Sequence, residues 1–152
     1  MFGLSDEQRA LVRSVRELAE SEFRDRACEW QGEFPRENVD VLADRDYLGI
    51  NFSPEYGGAG MTEFDAMLLI ETVGRVCPDT AEFLLFQHFV APRAVKMFGS
   101  EAAKEAYLPP MIDGEEFIAI AISEPESGSD VKSMHTHVRE EDRELLLSGE
   151  KT

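Results

Sequence analysis

Apolar residues recur at helical spacing along the first 116 residues and predict six helices. Ser5 and Gln8 form a capping box ahead of the first helix, which the spacing extends from about Asp6 to Cys28. A second helix is predicted from Pro35, and Gly49 is its stop signal.

Two further helices follow a glycine-rich segment, residues 53–60, which is predicted to be a loop. Thr62 and Asp65 are placed to cap the third helix, which should break near Cys77-Pro78. The run from Ala81 to Val90 is apolar almost all round, as expected of a central helix buried on several sides.

The last two predicted helices are short. One follows Pro92 and ends at Gly99, and the other is capped by Ser100 and should stop at Pro109-Pro110.

The pattern changes at Phe117, where short apolar runs of strand length begin. Residues 117–122 predict a strand, residues 131–139 are a looser candidate, and residues 145–147 precede the turn pair Ser148-Gly149. Three strands are too few to bury both faces of a sheet. We therefore expect a mainly α chain, α+β overall: an all-α domain over residues 1–116 and the beginning of a truncated β domain over residues 117–152.

The charge is strongly negative, with 31 Asp and Glu against 15 Lys and Arg. This excess argues against a nucleic-acid partner or an anionic membrane surface. Acidic residues occur in nearly every polar stretch, which is typical of a halophilic protein; an ordinary acidic cytosolic protein is the alternative.

The sequence predicts no metal site, disulfide, leader or membrane span. Cys28 and Cys77 have no ligand-like spacing, and His135 and His137 lack a third ligand. His88, inside an apolar run, fits a hydrogen-bonded core histidine better than a base. No apolar run reaches the ~18 residues of a span, so we expect a soluble, cytoplasmic protein.

The most informative segment for chemistry is residues 120–130, where an apolar run leads into a loop rich in Pro, Gly and hydroxyl groups. Free backbone N–H groups and hydroxyls in such a loop suit a ring carbonyl or a phosphate. The residues alone leave an ordinary connecting loop as the simpler interpretation.

Five motifs, in order along the chain, resemble those of the acyl-CoA dehydrogenase family. The run Ile122-Ser123-Glu124-Pro125 with Gly128-Ser129-Asp130 resembles the family's flavin-contacting segment. The other four are Leu4-Ser5-Asp6-Glu7-Gln8; Leu48-Gly49-Ile50 with residues 54–60; residues 98–104 with Tyr107-Leu108-Pro109 and Gly114-Glu115; and Leu147-Ser148-Gly149-Glu150-Lys151.

The resemblance implies a helical N-terminal domain followed by the first strands of a β-barrel, with FAD as cofactor. Ile122 and Ser123 would meet the flavin ring. Ile120 stands where the family often has an aromatic residue against the flavin, and isoleucine departs from that pattern. Ser129 would lie where acyl-CoA and the FAD phosphates approach each other, whereas Glu124 and Asp130 would fix the loop.

The activity that the resemblance implies is α,β-dehydrogenation of an acyl-CoA thioester, a step of fatty acid metabolism, with hydride transfer to flavin N5. The catalytic Glu of the family lies beyond Thr152, so no catalytic residue is assigned in this chain, which should be inactive alone. An electron-transfer flavoprotein as acceptor and a homo-oligomer, a tetramer in the family, are further implications. A noncatalytic subunit and a helical interaction module of the same fold are the alternatives.

Added salt is predicted to raise the thermal midpoint of the helical domain, because compaction brings like charges together and salt screens their repulsion. The measurement is a far-UV circular dichroism melt from ~0.1 to ~3 M KCl, a range over which the Debye length falls from ~10 Å to below ~3 Å. A flat or falling midpoint would mean that the acidity is ordinary surface charge.

Overall fold

The computed structural model describes residues 3–27 and 33–152. The chain divides into two compact units, Met1–Ile118 and Ala119–Thr152. The first unit contains α1 (Asp6–Leu18), α2 (Arg36–Ala43), α3 (Glu63–Gly74), α4 (Pro78–Phe89), α5 (Ala91–Phe98) and α6 (Glu101–Ile112). The second contains the antiparallel pair β1 (His137–Glu141) and β2 (Glu144–Ser148). The predicted mainly helical fold with a small β portion is confirmed.

Local capping signals are confirmed at the first, third and last helices. Reciprocal capping boxes join Ser5 to Gln8 and Thr62 to Asp65, and the Ser100 hydroxyl accepts from an amide of the first turn of α6. None of the helices in the described part of the chain is long and apolar enough to cross a bilayer.

The predicted extents of the first two helices and of the loop after them need correction. After α1 the chain continues as a π-helical turn, Ala19–Phe23, and a 3-10 turn, Arg24–Arg26; the predicted end at Cys28 lies outside the described residues. The two core side chains Ala19 and Phe23 lie four residues apart, and both remain fully buried across the wider turn. α2 ends at Ala43, because Asp46 adopts a left-handed conformation that an α-helix excludes. The segment 53–60 is not wholly irregular, since Pro54–Tyr56 forms a 3-10 turn.

The main core lies between α1, α3 and α4, with α2 against them. Its fully buried side chains include Val15, Phe23, Leu42, Leu48, Leu69 and Leu84. α4 is less buried than its composition predicts. Only the face with Thr80, Ala81, Leu84, Gln87 and His88 is covered, whereas Leu85 and Phe86 remain 42% and 46% exposed.

The predicted stop at Pro109-Pro110 is wrong, because α6 continues through both prolines to Ile112. Each proline removes one backbone donor from the helix. Carbonyl groups of the helix still accept later bonds, as when the Asp113 amide donates to Pro109 O at 2.9 Å. Met111 and Ile112, buried with Phe52, anchor the last turn. Tertiary packing therefore outweighs the local cost of the two prolines.

The predicted strand at residues 117–122 is absent; these residues have no regular structure and pair with no strand among the described residues. Ile120 and Ile122 are 44% and 45% exposed, so an apolar run alone did not make a sheet. The looser candidate is part 3-10 turn, Val131–Ser133, and part strand, β1. The run 145–147 lies in β2 as predicted, and His137 pairs with Ser148 across the hairpin.

A buried polar cluster lies inside the helical unit around His88, which is fully buried. The Asn51 amide nitrogen donates to Glu63, so Asn51 Oδ1 faces His88 Nδ1 at 2.8 Å and fixes the tautomer with the proton on Nδ1. Lys96 Nζ donates to Asn51 O at 2.6 Å and to Glu63 at 3.1 Å. His88 Nε2 has no hydrogen-bond partner among the described residues. The prediction of a hydrogen-bonded core histidine is therefore correct for Nδ1 but not for Nε2.

Burial lowers the pKa of His88 to about 4. A histidine of the unfolded chain has a pKa of ~6.5, so between pH ~6.5 and ~4 the unfolded chain binds more protons than the folded one. The free energy of unfolding therefore falls as the pH drops through this range, by up to about 3 kcal/mol. His88→Gln should flatten that part of the stability profile. Urea unfolding of the chain across this pH range measures it, with His137→Gln at an exposed position as the control. An unchanged pH slope in His88→Gln would contradict the assignment.

Candidate functional site

A tight turn organises the candidate segment, residues 120–130. Glu124 and Ser127 exchange both backbone hydrogen bonds, at 2.8 and 3.1 Å. The buried Ser127 hydroxyl donates to Asp130 O at 2.7 Å, and the Ser133 hydroxyl donates to the same carbonyl at 2.9 Å. The Asp130 carboxylate accepts from the Lys132 amide at 3.3 Å. The loop is therefore closed by its own polar groups.

The Glu124 carboxylate ties this turn to the segment before β1. Its two oxygens accept the His135 and Thr136 amides, at 2.6 and 2.9 Å, and its side chain is only 6% exposed. The neighbouring Thr136 hydroxyl, together with these two amides, holds the pKa of Glu124 well below its usual range, although the hydroxyl makes no hydrogen bond of ordinary geometry. The predicted loop-fixing role of Glu124 and Asp130 is confirmed.

Lys151 also belongs to this site, although the sequence shows it only as the last residue of the motif Leu147-Ser148-Gly149-Glu150-Lys151. Its Nζ donates to Ile122 O at 2.9 Å and to Glu124 Oε1 at 3.0 Å. Gly149 makes this approach possible, because a Cβ there would lie 2.2 Å from the Thr136 hydroxyl oxygen. The Gly-x-Lys spacing after the hairpin was the available signal, but it does not show which residue the lysine meets.

The predicted contact residues are accessible to solvent. Ile120, Ile122, Ser123 and Ser129 are all exposed. Ile122 and Ser123 are adjacent, whereas Ser129 lies beyond the turn, after Gly128, where an added Cβ would meet nothing within 4 Å. Their role toward a cofactor stays a prediction.

The groups that this segment offers fit a planar ring with carbonyl acceptors. Among the described residues, the amides of Ile122 and Ser123 donate no hydrogen bond, and the Ser123 hydroxyl has no partner. Exposed isoleucine side chains lie beside these donors. A nearby depression of about 260 Å³, in contrast, has an acidic lining that would repel a phosphate: Glu124, Pro125, Glu126, His135 and Glu150.

Two other candidates are set aside by their geometry. The amides of residues 57–60 all donate to carbonyls of the same unit, such as Gly60 N to Phe52 O at 2.8 Å, so they offer no phosphate cradle. In the parts of the chain that the structure covers, no three His, Cys, Asp or Glu side chains lie close enough to hold a metal ion.

Comparisons with known proteins identify the family to which the chain belongs. A family model described as "Acyl-CoA dehydrogenase, N-terminal domain" matches residues 5–115. The chain is 35% identical over 149 residues to a 3-(aryl)acrylate reductase of Clostridium sporogenes, covering 96% of this chain and 40% of the relative. It is 32% identical to a short-chain specific acyl-CoA dehydrogenase of Clostridium acetobutylicum, covering 99% of this chain and 40% of that protein.

A solved structure, the glutaryl-coenzyme A dehydrogenase glutaryl-CoA complex, superposes over 100% of this chain with a TM-score of 0.91 and 30% identity. The chain covers 40% of that structure, so it spans about two fifths of the length of the proteins it matches. The family model that matches residues 5–115 shows that the chain belongs to the acyl-CoA dehydrogenase family, whose N-terminal domain it contains.

Proposed function

We propose that the protein containing this chain is an FAD-dependent acyl-CoA dehydrogenase that oxidises the α,β bond of an acyl-CoA thioester. The observation that carries the proposal is the donor set at Ile122 and Ser123, two unused amides and one free hydroxyl among the described residues, in a chain that belongs to the acyl-CoA dehydrogenase family. Bound FAD would accept the hydride. The chain's own residues would supply orientation and hydrogen bonds.

In this proposal the ring lies against Ile120 and Ile122 and accepts hydrogen bonds from the Ser123 amide and hydroxyl. Ser129, exposed beyond the turn, would contact the region where acyl-CoA and the FAD phosphates meet. The base comes from outside these 152 residues. We further propose that the protein is cytoplasmic, is adapted to high salt and forms a homo-oligomer. It would pass its electrons to an electron-transfer flavoprotein.

The full-length protein should purify with FAD, or take it up, and reduce an artificial acceptor when given a saturated acyl-CoA. Because one relative is named a reductase, the assay should also follow the reverse reaction. The isolated 152-residue chain should show no turnover with added FAD. A full-length protein that holds no flavin, or turnover by the isolated chain at rates typical of enzymes, ~1 to 10³ per second, would contradict the proposal.

Ser123→Ala in the full-length protein should weaken FAD binding by about 1 to 3 kcal/mol, because a hydrogen bond to the ring is lost. The control is Ser148→Ala in β2. Ser127→Ala should instead lower the melting temperature, since its hydroxyl closes the loop on Asp130 O. Flavin fluorescence titration and thermal melts separate the two effects. Equal FAD affinity in Ser123→Ala and Ser148→Ala would mean that Ser123 does not contact the ring.

A further inference from the structure

Residues 119–123 belong to no strand ladder in the described chain, and two of their carbonyls contact residues after the hairpin. Lys151 Nζ donates to Ile122 O at 2.9 Å, and the Thr152 amide donates to Ser123 O at 3.0 Å. These two bonds use the carbonyls of the segment and leave the Ile122 and Ser123 amides free.

The peptide unit between Ile122 and Ser123 transmits this constraint. Its C=O and N–H are held in one plane and point in opposite directions, because the bond is trans. A hydrogen bond from Lys151 to the carbonyl therefore aims the Ser123 N–H away from the lysine. The positive charge on Lys151 also polarises the peptide, which makes that N–H a stronger donor.

Glu124 in turn holds the lysine. The ion pair is largely shielded from water, with Lys151 26% and Glu124 6% exposed in their side chains, so it is screened less than a surface pair. Lys151 Nζ also lies 3.5 Å from Met134 Sδ. If Lys151 is replaced, the Glu124 carboxylate keeps the His135 and Thr136 amides, so the turn retains two of its anchors.

We propose that Lys151 and Glu124 are positioning residues for the flavin. Together they orient the Ile122–Ser123 peptide so that the Ser123 N–H faces a hydrogen-bond acceptor on the ring. This inference rests on the proposed function, since it needs FAD at the segment. It adds two residues: Lys151 binds the carbonyl side of the peptide, opposite the Ser123 N–H, and Glu124 holds Lys151.

The experiment uses the full-length protein and measures FAD affinity together with the visible absorption spectrum of the bound flavin. Lys151→Met removes the charge and keeps most of the side-chain length, and Lys132→Met, an exposed lysine of the same loop region, is the matched control. We expect Lys151→Met to weaken FAD binding about tenfold to a hundredfold and to shift the spectrum. Lys132→Met should match the parent, and Lys151→Arg should recover most of the affinity and the parental spectrum.

The possible outcomes separate the positioning role of Lys151 and Glu124 from the proposed function. A parent protein that takes up no FAD overturns the proposed function and this inference with it. A parent that binds FAD while Lys151→Met and Lys132→Met bind it alike, with the same spectrum, overturns the positioning role alone. Far-UV circular dichroism of each apo protein reports folding. If Lys151→Met does not fold, Glu124→Gln decides: parental affinity and spectrum in that variant overturn the role.

Discussion

The buried Glu124 carboxylate is the interaction on which the functional segment depends. It accepts two backbone amides from residues 135–136 and pairs with Lys151, so one side chain joins the turn, the start of the hairpin and the residues after it. Its low exposure makes each of these bonds stronger than it would be in water. Because its partners keep the carboxylate charged, Glu124 continues to accept these bonds and to hold the loop.

The fold could be predicted wherever it is decided by neighbours in sequence. Ser5, Thr62 and Ser100 begin their helices as predicted, because a cap needs only a residue two or three positions away. The prediction failed where distant contacts decide. The buried Met111 and Ile112 carry α6 through two prolines, and residues 117–122 find no partner strand among the described residues.

The candidate site divides in the same way. The turn from Glu124 to Asp130 could be anticipated from a short motif, whereas the contacts of Ser123 with a flavin stay a prediction. The Lys151 contact spans 27 residues, and Gly149 permits it only because the chain there passes against Thr136. Composition and periodicity carry no information about such an approach. The buried pair of Asn51 and His88, 37 residues apart, was missed for the same reason.

A crystal structure of the full-length protein with FAD bound tests the positioning role of Lys151 and Glu124 most directly. If Lys151 positions the peptide, its Nζ lies at hydrogen-bond distance, about 2.7 to 3.2 Å, from both Ile122 O and the Glu124 carboxylate, with the Ser123 N–H directed at the flavin ring. A structure in which the flavin contacts the Ser123 peptide while Lys151 points to solvent would contradict it.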